Sequence, residues 1–340
     1  MNVYVDKIDS LLLEISSNCN VSCLGCMRND LLNHNNTTPG IPKNNFLQID
    51  LIKDIIESKM CENISYVDFC GTIDEPTTHP NFLEIIEYIT SKGIQVIIQT
   101  NGSLRTPDFW KNLANIMKIN SRSNVKFSID GLEDTNHLYR RGSNFKKIID
   151  NAKAYINAGG NAEWQFLIFD WNKHQVDEAR NLANELKFNS FKTRPDRADV
   201  TIDENELKQR SENFKKNLSK SWNDKINNYN IMAEEKKLTC FAKEERQFFI
   251  SYDGKVWPCC FLANARYQYY DNWKEYTDRF NLYYEKNWNS LYYHSFESII
   301  SNSFYQNDLV QSFESTYHGS GKFDRIIRCT QTCCEKGVTQ

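Results

Sequence analysis

The chain has 340 residues and 39.9 kDa, more than one average domain, with 41 basic against 44 acidic side chains and pI ≈ 6.1. That balance speaks against a dedicated nucleic-acid binder, which carries a basic excess. With 40% hydrophobic and 25% charged residues the composition is globular rather than disordered, and no apolar run reaches the length of a membrane span.

The start, Met1 to Lys7, lacks the basic head and apolar block of a secretion signal. A reducing, cytoplasmic setting is the expectation. There, eleven cysteines more often bind metal or do chemistry than form disulfides. Their distribution agrees: Cys19, Cys23 and Cys26 lie together, and Cys240, Cys259, Cys260, Cys329, Cys333 and Cys334 lie near the end.

Up to residue 195, short apolar runs alternate with helical patterns. Leu11–Ile15, Ile64–Cys70, Ile94–Gln99, Val125–Ile129, Trp164–Phe169 and Ser190–Arg194 read as strands. Between them, Phe82, Ile85, Ile86 and Ile89 repeat at helical spacing, as do Phe145 to Ile156 and Val176 to Leu186; Asp50–Met60 and Pro107–Met117 complete the series. Such a run implies an α/β fold with a parallel sheet, doubly wound or curled toward a barrel, with function on loops at the strands' C-terminal ends. Residues 201–238 turn polar and read as one or two solvated helices joining a first domain (1–200) to a second (239–340). The second opens with Gln247–Tyr252 and Lys255–Trp257 around the hairpin signal Asp253-Gly254. Aromatic-rich helical stretches, Tyr267–Tyr293 and Phe296–Phe313, follow; they either cover a barrel mouth or fill the smaller domain's core.

Cys19, Cys23 and Cys26 follow the first strand directly. Three thiolates within eight residues can converge on one soft metal centre. A complete zinc site wants four ligands. A 4Fe–4S cube held by three cysteines leaves one iron open to a small chelating molecule. Chance spacing or a three-ligand zinc site are the competing readings.

This C-x3-C-x2-C spacing after a first strand resembles the radical S-adenosylmethionine (radical SAM) superfamily. The resemblance implies a partial (βα)6 TIM-like barrel, a cluster on Cys19, Cys23 and Cys26, S-adenosylmethionine chelating the open iron, and a 5′-deoxyadenosyl radical that abstracts hydrogen. An external low-potential electron donor is implied with it. Family members usually carry an aromatic residue before the third cysteine; Gly25 stands there, passing the adenine contact to backbone or Met27. Cys70-Gly71-Thr72-Ile73-Asp74-Glu75-Pro76 is similar to the family's G-G-E-P turn, implying that Gly71, Asp74, Glu75 and Pro76 approach the methionine amine, with Asp74 in place of the second glycine. Thr100-Asn101-Gly102 resembles a T-N-G of peptide- and sugar-modifying members, and Ser128-Ile129-Asp130-Gly131 an S-x-D-G near the ribose and carboxylate. Arg140-Arg141-Gly142 follows; an arginine here pairs with the methionine carboxylate in relatives, and Arg141, next to the glycine, is preferred over Arg140.

Cys240 and Cys259 bracket the hairpin as C-x13-G-x4-C, and Cys329-x3-Cys333 supplies two more thiols. The arrangement resembles the Twitch and SPASM extensions of radical SAM enzymes. Six cysteines are too few for two clusters there, so the resemblance implies one auxiliary 4Fe–4S cluster on Cys240, Cys259, Cys329 and Cys333, with Cys260 and Cys334 as rivals. A zinc knuckle is the competing reading.

A cluster with four protein thiolates has no open iron and suits electron transfer, hence a net oxidation. A small molecule of sugar or cyclitol type is put first and a ribosomal peptide second, because residues 1–10 are too short for a leader-binding domain. A non-catalytic iron–sulfur sensor or carrier and a zinc-stabilised binding module are the alternatives outside enzymes. Cys61 reads as core. Cys70 and Arg194 are catalytic candidates, and Arg197, Trp171, Asn172 and His174 follow the last strands as binding candidates.

Overall fold

The structure, a computed structural model, describes residues 7–29, 38, 40–70, 72–196, 200–218, 238–267, 273–319 and 321–334. It divides into two compact units: residues 13–49 with 65–212, and residues 1–12 with 50–64 and 213–340. The domain division expected from the sequence was contiguous. Here the chain's start and the segment 50–64 belong to the unit built from the C-terminal third.

The larger unit holds five parallel strands in the order β3 (Tyr66–Phe69), β4 (Gln95–Thr100), β5 (Asn124–Ser128), β7 (Ala162–Ile168) and β8 (Ser190–Pro195). The first expected strand, β1 (Ser10–Leu13), crosses the division between units. Burial alternates along β3, β4 and β5 with period two, so Val67, Phe69, Val96, Ile98, Val125 and Phe127 point to one face. Helices α2 (Phe82–Ser91), α3 (Pro107–Met117) and α5 (Phe145–Asn157) cover that face. Trp110 of α3 meets Phe127 with ring centroids 5.2 Å apart, and Phe82 of α2 meets Phe69 at 5.8 Å. The caps explain where two helices start: Thr106 accepts from Phe109 N with Pro107 at the first helical position, and Asn144 accepts from Lys147 N. The other face is polar, with Gln99 Nε2 donating to both oxygens of Asp68 at 3.2 and 3.1 Å. Helix α6 (Val176–Glu185) precedes β8, and α7 (Glu204–Leu218) begins the polar stretch; the rest of that stretch, 219–237, lies outside the described residues.

In the second unit β9 (Gln247–Ile250) pairs antiparallel with β10 (Val256–Trp257), and Gly254 turns the hairpin at φ +69°. The aromatic-rich stretches fill this unit's own core. Trp288 meets Phe304 at 4.9 Å and Phe280 at 5.8 Å, and Tyr305 donates to Val256 O at 2.8 Å. Among the described residues no helix is long and apolar enough to cross a membrane.

Two stability outcomes follow. Trp164→Ala, fully buried, is expected to cost about 3–5 kcal/mol in urea unfolding, and Tyr293→Ala, 68% exposed, less than about 0.5 kcal/mol. His318 is buried with Nε2 2.7 Å from Thr330 Oγ1. Burial, then Arg325 and Arg279, push its imidazole down from 6.5 to about 4. It folds neutral, so its contribution is complete above pH 6.5 and declines as pH falls toward 4; His318→Gln should flatten that part of the stability profile.

Candidate iron–sulfur and cofactor site

The Cys19–Cys26 loop is held by backbone and by neighbours from other loops of its unit. Its middle forms β2 (Ser22–Cys23), which pairs antiparallel with β6 (Arg140–Arg141): Cys23 faces Arg140 and Ser22 faces Arg141. Leu24 N donates to Tyr139 O at 3.1 Å, and Asn29 Nδ2 donates to Cys23 O at 2.6 Å. Gly25 sits at φ +71°, a left-handed conformation that disfavours an aromatic side chain. That explains the departure from the family pattern at this position. Arg28, buried, donates to Ser17 O and, at 3.2 Å, to Ile73 O, tying the loop to the turn after β3.

The thiols influence one another. Burial first, and then neighbouring charges that include another of the three, push Cys19 and Cys23 up to about 12 and Cys26 up to about 11. Without a cation these sulfurs hold their protons; a metal makes the thiolates favourable. Among the described residues no three donors are already gathered at metal-ligating spacing.

The turn after β3 is a cluster of buried acids. Glu75 caps the short helical turn Pro76–Thr78. Its Oε1 accepts from Thr77 Oγ1 and Thr100 Oγ1, both at 2.7 Å, and its Oε2 from Asn101 N at 2.8 Å. These bonds make Glu75 the tie between the loops after β3 and β4. Asp74 Oδ2 accepts from Ser16 N at 3.2 Å, while its Oδ1 is buried with no hydrogen-bond partner among the described residues. Burial, then Glu14 and Glu75, hold the Asp74 carboxyl well above its ordinary range. Asn101 Nδ2 donates to Asn20 Oδ1 at 2.9 Å and lies 3.9 Å from Cys19 Sγ.

Arg140 and Arg141 divide as neighbours on a strand do, onto opposite sides. Arg140 Nε lies 2.7 Å from Asp130 Oδ2, and its Nη1 is 3.8 Å from Cys23 Sγ. Arg141, the residue preferred from the sequence, pairs instead with Glu204 at 3.1 Å on the surface. Asn172 is fully buried. It donates to Asp130 O and Leu167 O, each at 2.9 Å, and braces two loops. Trp171 stacks on Phe169 at 4.5 Å, and His174 and Arg194 are exposed. Cys70, just after β3, and Ser128, the last residue of β5, are half-buried, and Pro76 is buried in its turn. Gly71 and Arg197 lie outside the described residues. The bracing roles of Arg28, of Asn20 and of Glu14, whose Oε2 accepts from Thr72 Oγ1 and from Ile73 N, were not read from the sequence, because nothing in their spacing shows which polar residue meets a neighbouring loop.

In the second unit, Cys240, Cys259, Cys329 and Cys333 line one cavity, and Cys260 and Cys334 are not among its lining residues. Helix α13 (Ile327–Cys333) puts Cys329 and Cys333 one turn apart on one side. A hydrogen bond to Cys240, then burial, then Cys329, Cys240 and Cys259 push the Cys333 thiol up. Cys334 lies 3.9 Å from Arg325 Nη1 instead.

Removing one partner of a buried ion pair strands the other charge. Asp130→Ala is therefore expected to cost about 3–5 kcal/mol in chemical unfolding, and Arg141→Ala, whose pair is exposed, about 0–1 kcal/mol.

A profile of the radical SAM superfamily matches residues 13–183, and one of an iron–sulfur cluster-binding domain, SPASM, matches residues 240–334. Mycofactocin maturase MftC of Mycolicibacterium smegmatis is 27% identical over 175 residues, 51% of this chain and 41% of that protein. The chain thus spans about two fifths of the length of this curated relative. Native anSMEcpe with bound AdoMet and Kp18Cys peptide shares the fold at TM-score 0.53 and 16% identity, over 96% of this chain and 88% of that one. Streptococcus suis SuiB bound to precursor peptide SuiA does so at TM-score 0.52 and 15% identity, over 76% and 60%. With its first profile spanning half of the sequence and the three-cysteine loop inside it, the chain belongs to the radical SAM superfamily and carries a C-terminal SPASM iron–sulfur domain.

Proposed function

We propose that this radical SAM enzyme modifies a peptide. The observation that carries the reading is a cleft of about 600 Å³ in the larger unit, at the C-terminal ends of β7 and β8, lined by Phe169, Trp171, Pro195, Ile202 and charged groups such as Asp203 and Arg210. It opens at the strand ends where function sits in this fold, and its size admits a short chain segment as well as a small ligand. The maturase relative and the peptide-bound fold neighbours support the same substrate class. The sequence reading put a sugar- or cyclitol-like molecule first; these relatives favour its peptide alternative.

Cys19, Cys23 and Cys26 would hold the first 4Fe–4S cluster and Cys240, Cys259, Cys329 and Cys333 the auxiliary one. The residues fit. The first three thiols sit on one braced loop, and the other four line one cavity. S-adenosylmethionine bound at the first cluster supplies the radical that abstracts hydrogen. For its ammonium, the orphaned Asp74 Oδ1 beside Glu14 offers a counter-charge. Arg140, poised between Asp130 and Cys23, and Asn101 beside Cys19 orient the loop. An external low-potential donor in a reducing cytoplasm supplies the electron.

Two measurements test this. Anaerobically reconstituted protein should hold about eight irons per chain, about four after Cys19→Ala, Cys23→Ala and Cys26→Ala together, and an undiminished load after Cys260→Ala or Cys334→Ala. Under dithionite, deuterium should pass into 5′-deoxyadenosine from deuterated short peptides encoded beside the gene. Transfer from deuterated glucose or inositol and not from those peptides would restore the small-molecule reading.

A further inference from the structure

The cavity lined by Cys240, Cys259, Cys329 and Cys333 has an otherwise mostly apolar wall. Pro258, Phe261, Leu262, Leu309 and Phe313 are its apolar lining, and Arg328 is the one charged side chain among the described lining residues. Arg328 precedes Cys329 on α13 and lies one turn before Thr332, which also lines the cavity. Its guanidinium carbon stands 5.5 Å from the centroid of the Phe261 ring, and its Nη1 reaches Gln331 Oε1 at 3.4 Å. Phe261 is therefore both part of the wall and a platform holding the cation against it.

That placement matters for a redox group more than for packing. A four-thiolate cube is anionic and gains one further negative charge when it accepts an electron. An apolar wall solvates that added charge poorly and disfavours the reduced form. A fixed positive charge in the wall opposes this, and it acts at short range in a medium that screens weakly. Arg325, the other cation nearby, is committed to Phe313 O at 2.7 Å and lies beside Cys334, outside the lining.

We propose that Arg328 is a positioning residue that sets the reduction potential of the auxiliary cluster, its charge favouring the reduced form and so the uptake of an electron. The inference rests on the ligand set assigned to Cys240, Cys259, Cys329 and Cys333. It concerns the one-electron couple of that cluster alone, with the electron supplied in the test by dithionite through redox mediators.

The test uses the full chain carrying Cys19→Ala, Cys23→Ala and Cys26→Ala, so that only the auxiliary centre titrates. Arg328→Gln and Arg328→Lys are added separately, and the midpoint is read by electron paramagnetic resonance against iron and sulfide content. With iron retained, Arg328→Gln should lower the reduced-to-oxidised ratio at fixed potential about tenfold, a shift of about 59 mV to more negative values. Arg328→Lys should stay near the parent. An unchanged or more positive midpoint in Arg328→Gln overturns the proposal. If Arg328→Gln loses its iron, the lysine variant decides: a parental midpoint supports a charge effect, and a negative shift with the charge retained contradicts it. A parent chain that binds no iron after the triple substitution refutes the ligand assignment instead, a failure distinguishable from that of Arg328.

Discussion

Burial favours the protonated, uncharged form of the Cys19, Cys23 and Cys26 thiols, so the loop that carries them cannot rely on thiolate charge to hold its shape. The Cys19–Cys26 segment meets this constraint with bonds made by other groups. A two-residue antiparallel pairing with Arg140–Arg141 fixes its middle, Asn29 holds the Cys23 carbonyl, and Arg28 ties its end to the Ile73 carbonyl. Backbone hydrogen bonds and a buried guanidinium do not depend on the protonation state of the thiols. The same pairing brings Arg140 to both Asp130 and Cys23, so one small ladder sets the loop and the charge beside it.

The acidic turn after β3 extends this logic. Glu75 spends its acceptors on Thr77, Thr100 and Asn101, and thereby aligns two strand ends. Burial, and then the nearby Glu14 and Glu75, raise the Asp74 proton affinity, while Glu14 Oε2 accepts from Thr72 Oγ1 and Ile73 N. A cationic ligand group would relieve that arrangement, which is how a turn that departs from the family's glycine pair can still serve the same ligand. In the cavity lined by Cys240, Cys259, Cys329 and Cys333, Arg328 is the one charged side chain among the described lining residues and stands beside apolar ones.

Much of this was legible in the sequence, for identifiable reasons. The strands announced themselves because alternate Val, Ile and Phe residues face one covered side, and the three-cysteine spacing is specific. The preference for Arg141 over Arg140 rested on adjacency to Gly142; that Arg140 turns to Asp130 and Arg141 to Glu204 follows from the two-residue pairing, which leaves no mark in the spacing. The spacing alone does not separate Cys259 from Cys260 or Cys333 from Cys334, because only the fold shows that Cys259 and Cys333 line one cavity and that Cys329 and Cys333 stand one turn apart. The grouping of residues 1–12 and 50–64 with the C-terminal third leaves no local mark, since contacts between distant segments carry no periodicity.

The central claim is that the three N-terminal thiols hold a cluster whose open iron receives and breaks S-adenosylmethionine. Its most direct measurement is the yield of 5′-deoxyadenosine from anaerobically reconstituted protein given S-adenosylmethionine and dithionite. The account expects formation by the parent chain and none by the variant lacking Cys19, Cys23 and Cys26. An iron-loaded parent that leaves the sulfonium intact, or a triple variant that still cleaves it, would contradict the account.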